Sequence, residues 1–340
     1  MAPSAVAGKR LLLTGAAGFV GANFTDYTLR HTDWEIVCLD RLDHAGNLNR
    51  LAGLPAFGEH FGQRVSVAYH DLRAAVSNNT ARALGSFDYI VHMAAGSHVD
   101  RSILDPTGFV EDNVNGTAHA LDFARRGGLR DGGRFVYFST DEVFGPAPPG
   151  ISFKPWAQHN PQNPYAAAKA GGESLCPSYA ACYGLPIIVT HCTNVIGPGQ
   201  DEEKFLPRLV RALHEGKTVE VHAVHGIPCS RYYTHVDNIS SAALFLLEHG
   251  TILDGSAESG RYNISGEREV DNLELVRLVA DIMVKVPDMR LMERPPGRIK
   301  PDLRYCVDDS ATRALGWVQP VTFLDGLIRA VTADRVRLCA

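Results

Sequence analysis

Cysteine is scarce and unpatterned in this sequence: seven residues, at 38, 176, 182, 192, 229, 306 and 339, an odd number with no CxxC pair. That spacing excludes a disulfide scaffold and a Cys/His zinc site, and it reads as reduced, mostly buried small hydrophobes. A long apolar run is missing as well; nothing approaches the roughly eighteen residues of a membrane helix. The opening MAPSAVAGKR is too short and too weakly apolar for a signal peptide, so a cytosolic protein is expected. No charge of one sign dominates. The 33 basic and 38 acidic residues leave a net −5, and the basic ones are scattered. Neither nucleic acid nor an anionic membrane is therefore an expected partner. What is present is 340 residues, 45% hydrophobic and 21% charged, the composition of a cored globular protein. At about 150 residues per domain the length allows two units.

The first half alternates short β-rich apolar runs with helical stretches, the pattern of βαβ units on a parallel sheet. Strands are expected at 10–14, 35–39, 65–69, 89–93, 134–139 and 186–191, and helices at 18–30, 74–84, 113–126 and 165–183. After Asn194 the alternation breaks. One helix is expected at 206–215, a short strand at 218–222, and further helices at 236–249, 272–285 and 323–333. The predicted fold is α/β: a doubly wound, Rossmann-type parallel sheet with a smaller, discontinuous C-terminal substrate lobe. Residues 1–195 and a returning segment, 232–258, would form the dinucleotide domain; 196–231 and 259–340 would form mainly the lobe.

The strand ending at Thr14 runs directly into Gly15-Ala16-Ala17-Gly18-Phe19-Val20-Gly21. A glycine turn between strand and helix lets backbone amides approach a pyrophosphate at a helix N-terminus. Its GxxGxxG spacing differs from the usual GxGxxG, and steric reasons alone place glycines in many such turns. Context strengthens the assignment. Asp40 closes the second strand about 20 residues on, where a carboxylate would accept from an adenosine ribose diol and repel a 2′-phosphate. NAD is thus expected over NADP, although Arg41 stands beside it. Asp71, just past the third strand in His70-Asp71-Leu72, would meet the adenine edge.

Tyr165 and Lys169 stand at i and i+4, on one helix face. A nearby cation would depress the phenol pKa and make Tyr165 a general base toward a sugar hydroxyl. The fifth strand ends in Thr140-Asp141-Glu142, at the edge where open α/β sheets put their ligands. Two adjacent carboxylates there are costly unless hydrogen-bonded or functional; the competing explanation is a helix cap with a solvated neighbour.

At these residues the chain resembles the extended short-chain dehydrogenases/reductases, and within them the nucleotide-sugar 4,6-dehydratases. The resemblance covers most of the chain. It rests on the glycine turn, Leu39-Asp40-Arg41-Leu42 with Ala45-Gly46-Asn47-Leu48, Ala94-Ala95-Gly96-Ser97-His98-Val99-Asp100, Asn113-Val114-Asn115-Gly116-Thr117, Ser139 to Gly145, Asn163-Pro164-Tyr165 to Lys169, and Glu203 to Pro207. The Thr-Asp-Glu triplet separates dehydratases from the epimerases and decarboxylases that share the rest. The resemblance implies a catalytic set of Thr140, Asp141, Glu142, Tyr165 and Lys169. It implies cofactor contacts from Gly15, Gly18, Phe19, Val20, Gly21, Asp40, Arg41, Asp71, Leu72, Ala94, Ala95, Tyr165 and Lys169. Substrate contacts would come from Ser97, Thr140, Asn194, Lys204 and Arg231, with no metal. In this scheme Tyr165 takes the C4 hydroxyl proton, Glu142 the C5 proton, and protonated Asp141 serves the departing C6 hydroxyl. The Ala-rich helices at 113–126 and 165–183 would pair in a homodimer.

Several positions depart from the family, all on the substrate side. Gly96 stands where it usually has Glu, Asn194-Val195 replaces an Asn-Asn pair, and Val224 to Pro228 replaces a Gly-Asp-Gly turn. The stretch 294–302 only partly matches an Arg-Pro-Gly-His-Asp element, while Arg231 and Arg304-Tyr305 remain. These departures admit an unusual nucleotide sugar or a nucleoside as substrate, with a 5,6-alkene as product. An epimerase needs no Asp141, and a non-catalytic dinucleotide sensor needs no Tyr165. His222, His225 and His235 invite a metal reading, against which they lack a carboxylate at ligand spacing and read as ordinary polar loop residues.

Overall fold

Leucines 11, 12 and 13 set the plan: Leu11 and Leu13 enter one hydrophobic cluster and Leu12 the other, so the first strand is buried on both faces. Such burial is the condition of a central strand in a parallel sheet. The computed structural model describes residues 8–43, 45–293 and 303–339; the expected 294–302 element lies outside the described residues. Strands β1 (Arg10–Thr14), β2 (Glu35–Asp40), β3 (Val65–Tyr69), β4 (Phe87–His92), β5 (Leu129–Thr140) and β6 (Ile187–Cys192) match the six expected, with ends shifted by up to five residues at Leu129. Later strands are β7 (Asn194–Ile196), β8 (Val219–Val224), β9 (Ile227–Pro228), β10 (Ser230–His235), β11 (Arg261–Ile264), β12 (Glu269–Asp271) and β13 (Met289–Met292).

The main sheet has the order β11-β6-β5-β4-β1-β2-β3, every pair parallel. The order reverses between β1 and β4, and that crevice is where a doubly wound sheet binds its ligand. The returning segment, expected to end near 258, continues to Ile264, because β11 pairs with β6 at the sheet edge. Helix Val236–His249 covers the face holding Leu11 and Leu13, with Ile239, Ala242, Leu246 and Leu247 buried.

Two small sheets, β12-β10-β7 and β13-β8-β9, carry the rest. Helix Phe205–Glu215 packs beside them with Leu206, Leu209, Val210 and Leu213 buried, the i, i+3, i+4, i+7 stripe of an amphipathic helix. Each such side chain contributes about 1.5–3 kcal/mol on burial.

The helix expected at 113–126 is not uniform. Its α-helical part is Gly116–Phe123, preceded by a π-helical turn at Glu111–Asn115, and the backbone leaves the helix at Arg126 and Gly127. Periodicity does not register the extra residue of a π turn, a feature common at functional sites. Here it turns Asn113 toward the loop after β4. The Asn113 side chain accepts from the Gly96 amide at 2.8 Å and donates to the Gly96 carbonyl at 3.1 Å.

Candidate active site

The glycine turn is a close-packed backbone crossing at the point where the strand order reverses. Gly15 has φ +72°, and a Cβ there would lie 2.6 Å from the Ala94 nitrogen. A Cβ on Gly21 would lie 2.2 Å from the Gly15 carbonyl oxygen. Phe19 and Val20 begin the following helix, Phe19–His31, whose first amides have no side-chain cap. The residues therefore fit a dinucleotide pyrophosphate: bare backbone, free amides and a helix N-terminus at one place. Gly21→Ala should cost about 1–3 kcal/mol by overpacking. It should also release bound dinucleotide, read by thermal denaturation and by nucleotide analysis of the purified protein.

Asp40 fastens this turn to β2. Its carboxylate accepts from the Ala17 amide at 2.9 Å and the Leu42 amide at 2.8 Å. Arg41 does not lie free beside it. Its guanidinium forms a fork with Asp112, at 2.5 and 3.0 Å, and meets Asp43 at 2.7 Å. Asp71 lies 3.8 Å from Arg41 and accepts the Arg73 amide, and the Leu72 carbonyl accepts from His119 at 2.7 Å. Ala94 and Ala95, partly exposed, stand at the mouth of β4; the Ala94 amide donates to Thr14 Oγ1 at 3.2 Å.

The chemical residues converge from β5 and the helix Pro164–Tyr183. Asn163 caps that helix, accepting from the Ala166 amide at 2.8 Å, and Pro164 occupies its first turn. The same Asn163 donates to Glu142 Oε2 at 2.8 Å, so one residue positions both the helix and a carboxylate. Thr140 Oγ1 donates to Asp141 Oδ1 at 3.1 Å and accepts from the Glu142 amide at 3.3 Å. Asp141 is only 4% exposed, not a solvated cap neighbour, and its Oδ2 is buried without a hydrogen-bond partner. Burial, reinforced by Glu142, pushes its carboxyl up to about 7. A carboxylic acid that keeps its proton near neutrality is a proton donor.

Lys169 is buried; its ammonium donates to the Phe138 carbonyl and lies 4.3 Å from the Tyr137 ring centre. Desolvation lowers it to about 8, so it carries its charge at neutral pH. The depression expected for Tyr165 is not what the polypeptide supplies. Burial, and after it the Glu142 charge, raise the phenol well above its usual range, while the Thr140 hydrogen bond acts in the opposite direction.

On the substrate side, Lys204 donates to the Ser97 carbonyl at 2.9 Å. Arg231 reaches the Ser230 and Leu303 carbonyls at 2.7 and 3.3 Å and lies 4.7 Å from the Tyr305 ring centre. Burial lowers the Lys204 ammonium, with the Glu142 charge opposing it, and the Glu142 charge is also among those that act on Arg231. Ser97 and Asn194 are exposed, Asn194 on β7 opposite Tyr233 of β10. Gly96, where resemblance expects Glu, is covered by an aromatic ring: a Cβ there would lie 3.0 Å from Phe109. Phe109 in turn meets the Tyr165 ring edge-on at 6.4 Å.

Phe109, Asp112 and Glu173 escaped the sequence reading. Glu173, one turn beyond Lys169, accepts at Oε1 from His159 and His191, each at 3.1 Å, and at Oε2 from Ser139 at 2.6 Å. The two imidazoles hold its carboxyl far below the usual carboxylate range, although burial opposes them. Among the described residues this is the one His/Cys/Asp/Glu group close enough to enclose a metal ion. The second ring nitrogen of a metal-bound His normally donates to a partner. His191 Nδ1 is buried and has none, so the set reads as a brace joining helix, β5 and β6. His222 and His225 lie in or beside β8, and His235 caps the next helix through the Asp237 amide at 3.2 Å.

Fold and site together define a Rossmann-type protein with a Tyr/Lys pair beside a carboxylate pair. Residues 11–265 match the NAD dependent epimerase/dehydratase family, and the chain belongs to that family. It is 35% identical over 333 residues to a dTDP-glucose 4,6-dehydratase of Streptomyces niveus, covering 95% of this chain and 91% of that one. A solved dTDP-glucose 4,6-dehydratase of Streptomyces venezuelae with NAD bound superposes with a TM-score of 0.83 at 35% identity, covering 96% and 97%. The UDP-glucose 4-epimerase of Thermus thermophilus with NAD follows at 0.80 and 25% identity, covering 96% and 99%.

Proposed function

We propose that this protein is an NAD-dependent sugar-nucleotide 4,6-dehydratase, a lyase that converts a dTDP- or UDP-glucose type substrate to its 4-keto-6-deoxy form. The carrying observation is Asp141: buried, unpartnered at Oδ2, raised to about 7, and adjacent to Glu142 at the mouth of β5. NAD, when bound, supplies a reversible two-electron acceptor, so the net reaction consumes none of it. The turn at Gly15, Gly18, Phe19, Val20 and Gly21 would hold its pyrophosphate, Asp40, Arg41, Asp71 and Leu72 its adenosine half, and Ala94, Ala95, Tyr165 and Lys169 its reacting half. Tyr165 removes the C4 hydroxyl proton, with Thr140 sharing it and Lys169 supplying positive charge. The 4-ketone acidifies C5. Glu142 takes the C5 proton while Asp141 gives its proton to the departing C6 hydroxyl, which leaves a 5,6-alkene beside the ketone; the hydride that NAD would accept from C4 would then return to C6, and the Glu142 proton to C5, giving the 4-keto-6-deoxy product. Arg231 and Lys204 face the anionic end of the substrate, with Ser97 and Asn194 at the rim.

The acid role fixes the sign of the pH dependence. Asp141 must be protonated to donate, so its active form declines as pH rises through about 7, and Lys169 loses its charge from about 8 upward. The elimination rate should therefore fall on the alkaline side from near neutrality, measured by single-turnover water loss across pH.

A second reading is favoured by Phe109 seated on Gly96. The same residues act on an unusual nucleotide sugar or a nucleoside and yield a 5,6-alkene. Incubation with a panel of nucleotide sugars and nucleosides, followed by mass and NMR analysis, separates the two; turnover with C4 inversion and no water loss would instead make the protein an epimerase. Leu104 and Val110, 85% and 47% exposed on segments packed along the Pro164–Tyr183 helix, support a homodimer built on that face. Among the described residues no helix is long and apolar enough to cross a membrane, and the cysteines recorded there are free, in keeping with action in a reducing cytoplasm.

A further inference from the structure

Arg41 poses a problem for an NAD enzyme. An arginine immediately after the ribose-binding carboxylate is positioned to pair with a 2′-phosphate, which it would grip with two parallel hydrogen bonds. The structure answers it with a residue 71 positions away. Asp112, at the π-helical turn after β4, takes that fork on its own carboxylate, at 2.5 and 3.0 Å. Its Oδ1 also accepts from Arg73 Nε at 2.7 Å, so one carboxylate engages two guanidinia. Asp43 adds a contact to Arg41 at 2.7 Å and Asp71 one at 3.8 Å.

We propose that Asp112 is a specificity-determining residue: it occupies the guanidinia of Arg41 and Arg73 so that neither can grip a ribose 2′-phosphate, while Arg41 still flanks the adenosine half, and it thereby excludes NADP. This inference rests on the dinucleotide-binding reading of the site. Three features carry it. The Asp112 side chain is only 9% exposed, so its pairing with Arg41 is screened by water far less than a surface ion pair. The fork satisfies the donors that a phosphate would need. Around the adenosine end stand five carboxylates, Asp40, Asp43, Asp71, Glu111 and Asp112, against two guanidinia, Arg41 and Arg73, a formal −3 that opposes an added dianion. Asp112 also braces no catalytic group: its partners are Arg41 and Arg73, whereas Asn113, the next residue, holds Gly96.

Asp112→Asn keeps the shape and removes the charge. One amide oxygen can still accept, but the amide nitrogen faces a guanidinium that is itself a donor, so the fork opens. Titration of wild type and variant with NAD⁺ and with NADP⁺, by calorimetry on protein stripped of bound nucleotide, gives the selectivity directly. The ratio of the two dissociation constants should shift toward NADP⁺ at least tenfold in Asp112→Asn. Adding Arg41→Ala to that variant should abolish the gain. Asp43→Asn, at a side chain 46% exposed and so of little risk to folding, should shift the ratio the same way but less. Wild-type protein that binds NADP⁺ as well as NAD⁺ would overturn the inference. So would NAD⁺ binding that persists in both single variants with no gain for NADP⁺. Wild-type protein that takes up neither dinucleotide would instead remove the cofactor reading beneath it.

Discussion

Tyr165→Phe is expected to lower turnover by about 10²–10⁴-fold, the range for loss of a general acid–base group. The substitution deletes one oxygen and leaves the ring, so the edge-on contact with Phe109 persists and the helix keeps its Asn163 cap and Pro164 start. Stability should stay near that of wild type, which separates a chemical loss from a folding loss. Burial and the Glu142 charge hold this phenol in its protonated form in the protein alone. Its work as a base therefore depends on what the bound site adds: the Thr140 hydrogen bond, the Lys169 charge and a cationic nicotinamide. The defect should fall on the first oxidation. In stopped-flow mixing with substrate the variant should show no transient reduced nicotinamide absorbance, and an undiminished transient would sink the assignment of Tyr165 as the base.

Much of this was legible in sequence, and the unevenness has physical causes. The strands β1 to β6 announce themselves because a strand buried on both faces is a short apolar run ended by turn residues. Leu11 to Thr14 and Ile187 to Val189 are such runs. β11 does not: Arg261 to Ile264 is four residues after a glycine- and serine-rich loop, and only its pairing with β6 makes it a strand. The short helices Val99–Leu104 and Pro106–Val110 went unread because Asp105-Pro106 breaks the periodicity between them. Charge chemistry was legible only where partners are neighbours in sequence. Tyr165 and Lys169 share a helix face by spacing alone, but nothing in spacing tells that the Lys169 ammonium is engaged by the Phe138 carbonyl. Nor does spacing tell that the phenol is buried beside the Glu142 carboxylate, and those two influences are why the expected lowering of Tyr165 came out reversed. Asp112 was invisible for the same reason, since its meeting with Arg41 depends on the sheet order and on a π turn.

Asp141→Asn should divide the reaction at its midpoint. The amide fills the same space, so binding and the Tyr165 step remain, and reduced nicotinamide should accumulate with substrate bound. Water loss should fall by about 10²–10⁴-fold, because no proton is available to the departing hydroxyl. A variant that eliminates water at the wild-type rate would remove Asp141 as the acid. The same change carries a stability signature with a definite sign. In the folded protein the carboxyl holds its proton up to about 7, whereas in the unfolded chain it loses it near about 4. Between those values the native state binds more protons than the unfolded one, so this group makes wild-type stability fall as pH rises, and the loss is complete above about 7. Asparagine has no such dependence. From about pH 5 to about pH 8 the variant should therefore gain on wild type by on the order of 2–3 kcal/mol, read as a widening difference in Tm. Equal slopes would mean that Asp141 is ionised in the folded protein, and a carboxylate already ionised cannot be the donor to the leaving hydroxyl.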